Sequence, residues 1–344
     1  MDDLVASFDV GKPGDSVTPE EDMSVDEWLR RHTTQWNREF IGMGVAMIVG
    51  RDAKEVGLHY MMDYLKSGVG LAHLAGEGPD TAQHLKIKQG TTAIATGLAQ
   101  ALPKDSVMID SPVSKITQQT DGDLVVTTAN GIVFDCARVI VSIPTNTYTN
   151  ISFTPPLPPA KRAIVSRTKP GIYAKVIITY RRPWWHDHGL IGTFVSAKGP
   201  FSYSWEMSHP ELQQYSLAAF VAGRVNAWWH ELSTLEQEET LLASLTEMVP
   251  EASRDEVWSP LEINIQDWSK EEYIGGGPTS AMGPGDYARY SRALREPFGK
   301  VHFAGGELAF EWKGYLEGAV RSGSRAAAEV VDSWEEPAVG TARL

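Results

Sequence analysis

Residues 301–327 constrain the fold more than any other part of this sequence. They begin as an apolar strand pattern, end it in Gly305-Gly306, and continue as a helical pattern in which Gly314 and Gly318 fall about one turn apart. Glycines at these places let a flat ligand or a neighbouring backbone come close, and a helix start offers unpaired N–H groups. The stretch therefore predicts a strand–turn–helix unit that either holds an electron-poor ring or packs a helix tightly on a sheet.

The composition indicates a globular protein of about two domains. The chain has 344 residues, of which 42% are hydrophobic and 22% charged. Its formal net charge is −13, and no run of lysine and arginine interrupts it, so we expect no attraction to nucleic acid or to anionic lipid. Cys136 stands alone, which excludes an intramolecular disulfide and a multi-cysteine zinc site; its apolar surroundings predict a small buried side chain rather than a nucleophile.

The two ends of the sequence differ in targeting signals. The N-terminus lacks a basic segment followed by an apolar run, so we expect no secretory signal, and no stretch of about eighteen apolar residues predicts a membrane span. The last three residues, Ala342-Arg343-Leu344, have the small–basic–leucine form of a peroxisomal tripeptide. We therefore expect the protein in the peroxisome or the cytoplasm.

Hydrophobic periodicity divides the chain into helical and strand regions. Ser24 followed by Glu27 predicts a capped helix start, and residues 34–74 carry amphipathic helical spacing. A short helix over 91–102 suits packing against a sheet. The predicted strands cover 106–110, 113–118, 124–128, 132–134, 138–142, 175–180, 216–222 and 301–306, and further helices cover 234–248 and 314–334. The proline run 155–159 predicts a crossover between two domains.

Residues 301–327 closely resemble the C-terminal flavin-binding segment of the flavin monoamine oxidase family, which includes polyamine oxidases and L-amino-acid oxidases. Residues 111–116 are similar to the family strand whose valine backbone meets the adenine of FAD, and 138–158 resemble its exit into the substrate domain. Further segments resemble family motifs in the same order along the chain: residues 171–175, Asp267-Trp268, the glycines 275–277 and residues 295–299. The resemblance runs from about residue 34 to residue 331.

The resemblance implies the cofactor-binding residues. Val113 would contact the adenine by its backbone, and Glu307, after Gly305, is similar to the family acid near the ribose and pyrophosphate of FAD. The segment that resembles the wrapping of the isoalloxazine consists of Gly314, Tyr315, Leu316, Glu317, Gly318 and Ala319.

The resemblance also implies residues near the substrate. Lys175 is placed like the lysine that holds a water near flavin N5, and Tyr315 like one wall of an aromatic substrate cage. An aromatic wall suits an amine, through its apolar body and its lone pair or cation. Phe220 and Trp268 fall where the family lines its cavity, and each is equally well an ordinary buried residue.

This chain departs from the family pattern at three places. The family cysteine that carries covalent flavin would fall at Gly277, which implies non-covalent FAD, and the second cage aromatic is replaced by Pro278. No strand–Gly-x-Gly-x-x-Gly–helix unit is present, because residues 42–47 and 68–73 both fail at the third glycine and follow helical patterns. The sequence therefore looks like an amine oxidase without roughly its first third, whether through biology, an incomplete gene model or a split enzyme.

Other chemistries have little support in the sequence. His186 and His188 lie two residues apart without an accompanying carboxylate helix, which favours a solvated loop over a zinc site, so we expect no metal. A Gly-x-Ser-x-Gly elbow is absent, which disfavours an α/β-hydrolase.

We therefore expect an α/β fold combined with α+β: an incomplete FAD-binding domain of the amine oxidase type and a mixed-sheet substrate domain. The expected parts are 1–75 (helical part of the substrate domain), 76–156 (first FAD-binding part), 157–269 (substrate domain), 270–333 (second FAD-binding part) and 334–344 (tail).

The function that the resemblance implies is FAD-dependent oxidation of an amine to an imine and then an aldehyde, with hydrogen peroxide formed from dioxygen. The alternatives are an inactive relic, an interaction subunit or one chain of a split enzyme. A partner chain or a homo-oligomer would then cover the missing region.

Overall fold

The computed structural model describes residues 2–12, 14, 17–119, 122–196 and 198–335. Helices predominate up to about residue 101 and strands from 113 to 222. The helices are α1 (Asp2–Ala6), α2 (Val25–His32), α3 (Gln35–Val49), α4 (Leu58–Ser67), α5 (Leu71–Ala75), α6 (Thr92–Ala101), α7 (Pro159–Arg167), α8 (Trp184–Asp187), α9 (Ala227–His230), α10 (Thr234–Met248), α11 (Arg254–Val257), α12 (Asp286–Tyr290) and α13 (Leu316–Glu335). The strands are β1 (Val113–Gln118), β2 (Leu124–Thr128), β3 (Val133–Cys136), β4 (Val139–Val141), β5 (Ser152–Thr154), β6 (Lys169–Pro170), β7 (Tyr173–Tyr180), β8 (Phe194–Val195), β9 (Tyr203–Glu206), β10 (Tyr215–Ala222), β11 (Glu262–Asp267), β12 (Ser280–Ala281) and β13 (Val301–Phe303).

One hydrophobic core joins the helices before residue 75 to two small sheets. A four-stranded sheet has the order β3-β2-β1-β5, and β4 pairs with β13 in parallel. Ile116 and Leu124 from the sheet, Phe303 from β13 and Met62 from α4 all belong to this core. The domain boundaries proposed from the sequence stay predictions.

The second core lies against a five-stranded antiparallel sheet with the order β11-β7-β10-β9-β8. Successive side chains of a strand point to opposite faces. Ala174, Val176 and Ile178 of β7 are accordingly buried in this core, where they share one cluster with leucines of α10, whereas Tyr173 and Lys175 lie on the other face. The alternation therefore leaves one face of the sheet, with aromatic and charged side chains, outside this core.

Three glycines let distant segments meet between the two cores. A Cβ atom added to Gly171 would lie 1.9 Å from the carbonyl oxygen of Gly277 and 2.7 Å from that of Val49. At Gly50, where φ is +69°, an added Cβ would lie 2.4 Å from the same Gly277 oxygen. A Cβ atom added to Gly276 would lie 2.4 Å from the Gly171 carbonyl oxygen. Glycine at 50, 171 and 276 therefore allows close backbone packing between the end of α3, the segment before β7 and the segment after β11.

Much of the predicted secondary structure is confirmed. The Ser24 side chain accepts a hydrogen bond from the N–H of Glu27, which is the predicted cap of α2. The helix α10 has the predicted bounds, and β7, β10 and the meander β1-β2-β3 form close to the predicted ranges. The mixed α/β and α+β fold class is thereby confirmed.

Three local expectations are wrong. Residues 106–110 form no strand, because Asp105 and Asp110 adopt positive φ angles of 66° and 55° and interrupt the extended run. The helix α6 forms, but none of its residues is buried, so it does not pack on a sheet in the described structure. The last helix begins at Leu316 rather than at Gly314, because Gly314 has a φ of +79° and donates its N–H to the Gly306 carbonyl.

The fold tests several further expectations only in part. None of the helices in the described ranges has the length and apolar character needed to cross a bilayer. Within the same ranges no group of three or more His, Cys, Asp or Glu side chains could hold a metal ion. Cys136 is half-buried, and burial raises the pKa of its thiol. The tripeptide at 342–344 lies outside the described residues, and localisation stays a prediction.

Candidate functional site

A narrow cleft lies where the parallel strands β4 and β13 end. Neighbouring parallel strands present their carboxyl ends at the same edge of a sheet, which is where ligands of α/β sheets bind. The segments after β4 and β13 therefore face each other across a cavity of about 180 Å³. Its lining residues are Ser142, Ile143, Pro144, Asn146, Pro170, Ile274, Gly276, Pro278, Thr279, Ser280, Gly305, Gly306, Glu307 and Gly314.

Glu307 joins the two strand ends. Its carboxylate accepts a hydrogen bond of 2.5 Å from the backbone N–H of Thr145, which follows β4. The side chain is enclosed by protein except where it borders the cleft, and burial raises the pKa of its carboxyl, while hydrogen bonds from Thr145 and Ser280 counteract that rise. A carboxylate in this place can accept further hydrogen bonds from hydroxyl groups of a ligand.

Two buried polar atoms of the cleft have no hydrogen-bond partner in the described structure. They are the Oδ1 of Asn146 and the Oγ1 of Thr279. Buried polar groups are normally paired, so both atoms indicate that a polar molecule completes the cleft. Together with glycine backbone at 276, 305 and 314, this donor and acceptor set fits part of a flat, polar dinucleotide such as FAD.

Tyr315 stands next to the cleft at the start of α13. Its ring centroid lies 6.4 Å from that of Tyr64 on α4, and the two phenols interact electrostatically. A Cβ atom added to Gly314 would lie 2.6 Å from the Tyr64 hydroxyl, and the φ of Gly314 is positive, so both space and backbone conformation favour glycine there. Tyr64 therefore packs against both the turn and the phenol that follows it.

Lys175 lies on the sheet face that points away from the second core. It pairs with Phe220 of β10 in register, and its Nζ lies 5.8 Å from the centre of the Phe220 ring. Burial lowers the pKa of the Lys175 ammonium, and the nearby positive charge of Lys86 lowers it further. A lysine with a lowered pKa can hold a water and exchange a proton with it nearer to neutral pH.

Aromatic side chains continue from Phe220 across this face. The ring of Tyr173 lies 5.0 Å from that of Phe220, Trp205 lies 4.8 Å from it on the other side, and Tyr203 lies 5.5 Å from Trp205. Tyr173 and Tyr315 interact electrostatically, and burial raises the pKa of both phenols. The aromatic face therefore adjoins the residues beside the cleft.

The structure brings together some of the predicted site residues and separates others. Gly305, Glu307 and Gly314 line the cleft, and Tyr315, Lys175 and Phe220 lie around the aromatic face. Pro278, where a second cage aromatic was expected, also lines the cleft.

The remaining predicted residues lie outside the lining of the cleft. Val113 begins β1 and pairs with Thr128, and Trp268 is 37% exposed in the short turn after β11. In α13, Leu316, Glu317 and Ala319 are exposed, and Gly318 is required because an added Cβ would lie 2.1 Å from the Trp312 carbonyl oxygen. Their roles toward a cofactor stay predictions.

Sequence reasoning missed the residues that support the site from behind. Tyr64, Tyr173, Asn146 and Thr279 all lie at or beside the cleft and were not singled out. One signal was present in α4, where polar side chains recur at helical spacing among apolar ones, although their burial is visible only in the structure.

A larger cavity lies elsewhere, between α3 and the segments around 199 and 226. Its volume is about 630 Å³, and its wall carries the Arg38–Asp26 ion pair, Glu39 and Lys54. None of the residues predicted from the sequence lines it, and its charges are of mixed sign. The smaller cleft is therefore the candidate site, because glycine backbone, unpaired polar atoms and a buried carboxylate meet there.

Comparison with known proteins gives the family context. The family model described as flavin containing amine oxidoreductase matches residues 19–331. A Mycobacterium tuberculosis protein named as a flavin-containing monoamine oxidase is 32% identical over 311 residues, which are 90% of this chain and 66% of that protein. The flavin-containing amine oxidase B of Cavia porcellus is 30% identical over 338 residues, 97% of this chain and 64% of its own. The chain thus spans slightly less than two thirds of these relatives.

Solved structures agree with this match. Cyclohexylamine oxidase from Brevibacterium oxydans IH-35A has a TM-score of 0.88 and 26% identity, covering 97% of this chain and 73% of its own. Wild-type putrescine oxidase bound to putrescine has the same TM-score and identity, covering 96% and 73%.

Proposed function

The chain belongs to the flavin-containing amine oxidoreductase family, as the sequence predicted, and we propose that it takes part in FAD-dependent oxidation of a small amine. One observation carries the proposal: a glycine-walled polar cleft adjoins an aromatic sheet face that holds a partly buried lysine. The cleft suits a dinucleotide, and the aromatic face suits the body of an amine.

FAD would be held without a covalent bond, since Gly277 stands where attachment would occur. Glu307 would accept hydrogen bonds from cofactor hydroxyls, Asn146 and Thr279 would use their unpaired atoms, and backbone at Gly305 and Gly314 would allow close approach. When bound, FAD supplies the acceptor for the hydride that leaves the α-carbon of the amine.

The residues on the aromatic face would orient the substrate. Tyr315 and Phe220 would present π faces to an amine, and the ring of Tyr64 contacts that of Tyr315. Because this face consists of aromatic rings around one lysine, we propose a monoamine with an aromatic or apolar body rather than a dicationic amine, which the Lys175 ammonium would repel.

Lys175 would hold a water at the sheet face and pass a proton to or from it. The overall reaction then balances as amine, dioxygen and water giving aldehyde, ammonia and hydrogen peroxide. Burial and Lys86 keep the pKa of Lys175 lowered, which brings its proton exchange closer to neutral pH.

We also propose that further polypeptide covers the surface between residues 83 and 110. Every residue of this stretch is exposed, although it carries several large apolar side chains. These are Leu85, Ile87, Ile94, Leu98, Leu102, Val107, Met108 and Ile109. Apolar patches of this kind mark interaction surfaces, and a partner chain or a second copy would cover this one. Light scattering on the purified chain distinguishes a homo-oligomer from a monomer.

The experiment for the main proposal is the visible absorption spectrum of the purified chain after incubation with FAD and desalting. We expect a retained flavin band that bleaches anaerobically on addition of an arylalkylamine and returns with air, accompanied by hydrogen peroxide in a peroxidase-coupled assay. A soluble, colourless protein would contradict cofactor binding by this chain alone and favour the alternative of an inactive or split enzyme.

A further inference from the structure

The turn that leads into the site has an unusual backbone. Trp312 adopts a φ of 56°, in the left-handed region that bulky residues rarely enter, and Gly314 follows with a φ of 79°. Such conformations persist only when the surroundings hold them. The contacts around residues 312–315 must therefore hold a turn that would otherwise relax.

One face of α4 makes many of these contacts. Tyr60, Asp63, Tyr64 and Ser67 recur at helical spacing and are all buried. The Ser67 carbonyl accepts the N–H of Trp312 at 2.9 Å, and the Ser67 hydroxyl oxygen accepts the N–H of Lys313 at 3.2 Å. This face of α4 thus accepts hydrogen bonds from the backbone N–H groups of two successive residues of the turn.

A buried ion pair completes the attachment. The Lys313 ammonium donates to Oδ2 of Asp63, while Oδ1 of Asp63 accepts the Tyr287 hydroxyl at 2.7 Å. The two charged side chains are only 3% and 1% exposed. Both oxygens of the carboxylate are therefore used, and three elements (α4, α12 and the turn) meet at it.

We propose that Asp63 and Lys313 are positioning residues of the candidate site, whose ion pair holds the strained turn so that Gly314 borders the cleft and Tyr315 faces the substrate. The inference rests on the proposed function only for the role of the turn in substrate binding. The contacts that hold the turn do not depend on that function. Neither residue borders the cleft, so neither is assigned a catalytic role.

A contribution to folding stability is a poor explanation for burying the Asp63–Lys313 ion pair. Removing two charges from water is costly, and apolar side chains of similar volume often serve a core as well or better. What an ion pair provides, and an apolar pair does not, is one preferred geometry between two atoms. Here that geometry is set between a helix and a turn beside the candidate site.

The test uses the purified chain with FAD added and four variants. Asp63→Asn and Lys313→Met break the pair, Lys313→Arg keeps the charge, and the double variant Asp63→Leu/Lys313→Met replaces the pair by apolar side chains and guards against misfolding of the single variants. Hydrogen exchange followed by mass spectrometry compares the peptides spanning 305–316 with those of α10, which belongs to the other core.

We expect exchange in 305–316 to rise about tenfold in both single variants and in the double variant, with α10 unchanged and Lys313→Arg close to wild type. In loaded protein the KM for the amine should rise by a similar factor in the double variant while the melting temperature is kept. Unchanged exchange in 305–316, or an equal rise in α10, would overturn the proposal. A wild-type chain that oxidises no amine would refute the proposed function and leave the exchange result valid.

Discussion

Phe220 and Lys175 face each other in register on neighbouring antiparallel strands, with the Lys175 ammonium 5.8 Å from the centre of the ring. Both side chains lie on the face of β7 and β10 that is turned away from the second core. A core role for Phe220 was an open alternative; the side chain is half-buried and lies outside the second core, and its role toward a substrate stays a prediction. The Phe220 ring also favours the charged form of the lysine.

Replacing Lys175 tests its proposed role directly. We expect Lys175→Met to lower kcat/KM for the amine by about 10²- to 10⁴-fold, the range that a positioned proton-transfer group contributes. The flavin spectrum should stay unchanged, because Lys175 is not among the residues that line the cleft. Steady-state kinetics with matched flavin content measures the effect, and activity within a factor of about three of wild type would argue against the role.

Lys86 offers a separate test through the pKa of Lys175. Its charge lowers that pKa, so Lys86→Met should move the Lys175-dependent limb of the kcat/KM profile to higher pH. The matched control is Lys88→Met, because Lys88 lies two residues away, is 70% exposed and pairs with Glu211. A limb that moves equally in both variants, or in neither, would contradict the electrostatic link.

Glu307→Gln should weaken FAD binding by about tenfold, since a neutral amide replaces a carboxylate as hydrogen-bond acceptor and charge-assisted bonds are stronger by about 1.4 kcal/mol. Burial raises the pKa of the Glu307 carboxyl, so wild-type affinity should also fall toward that of the variant as the pH decreases through that pKa. Titration of the apoprotein with FAD, followed by flavin fluorescence, measures both effects. Glu311→Gln, at a side chain that is 53% exposed, is the control.

The sequence predicted the strands and glycines of the site better than the burial of the side chains behind it. Strand and turn patterns are local, so β7, β10 and the strand before Gly305 could be predicted from side-chain alternation and turn residues. The helix start was misplaced by two residues because nothing in the sequence indicates that Gly314 bonds to the Gly306 carbonyl. Such a bond depends on how two segments meet in space.

The support behind the site could not be predicted in the same way. Asp63 and Lys313 are 250 residues apart, and each by itself has the sequence character of an exposed charge. Only the fold shows that they neutralise each other within a core. Thr279 and Asn146 were missed for a similar reason, because an unpaired polar atom becomes informative only when its burial is known.

Packing at Gly171 leaves no room for a side chain. We expect Gly171→Ala to reduce the free energy of unfolding by about 3 kcal/mol or more, because the added Cβ would overlap the Gly277 and Val49 carbonyl oxygens. Gly44→Ala, within α3 and with no atom within 4 Å of the added Cβ, should instead stabilise by about 0.5–1 kcal/mol. Urea unfolding compares them, and equal effects would refute the packing argument.

Lys161 should make stability depend on pH in the neutral to alkaline range. It is 3% exposed, its Nζ donates to the Ala293 carbonyl at 2.6 Å and lies 3.7 Å from the centre of the Phe303 ring, and burial lowers its pKa to about 7. Above that pKa the native state has released a proton that the unfolded chain still binds. The contribution of Lys161 to stability should therefore rise with pH from about 7 toward 10, by up to about 1.4 kcal/mol per unit.

The variant Lys161→Met removes the titrating group from this core. We expect it to exceed wild type in stability at neutral pH and to show a shallower slope, so that the two curves approach each other as the pH rises; the remaining slope comes from Lys313, whose pKa burial also lowers to about 7. Urea unfolding of both proteins at several pH values between about 7 and 10 measures the difference, with the exposed Lys104→Met as the control. Parallel curves would mean that Lys161 keeps its proton in the fold, held by the carbonyls of Ala293 and Leu294 and by the Phe303 ring.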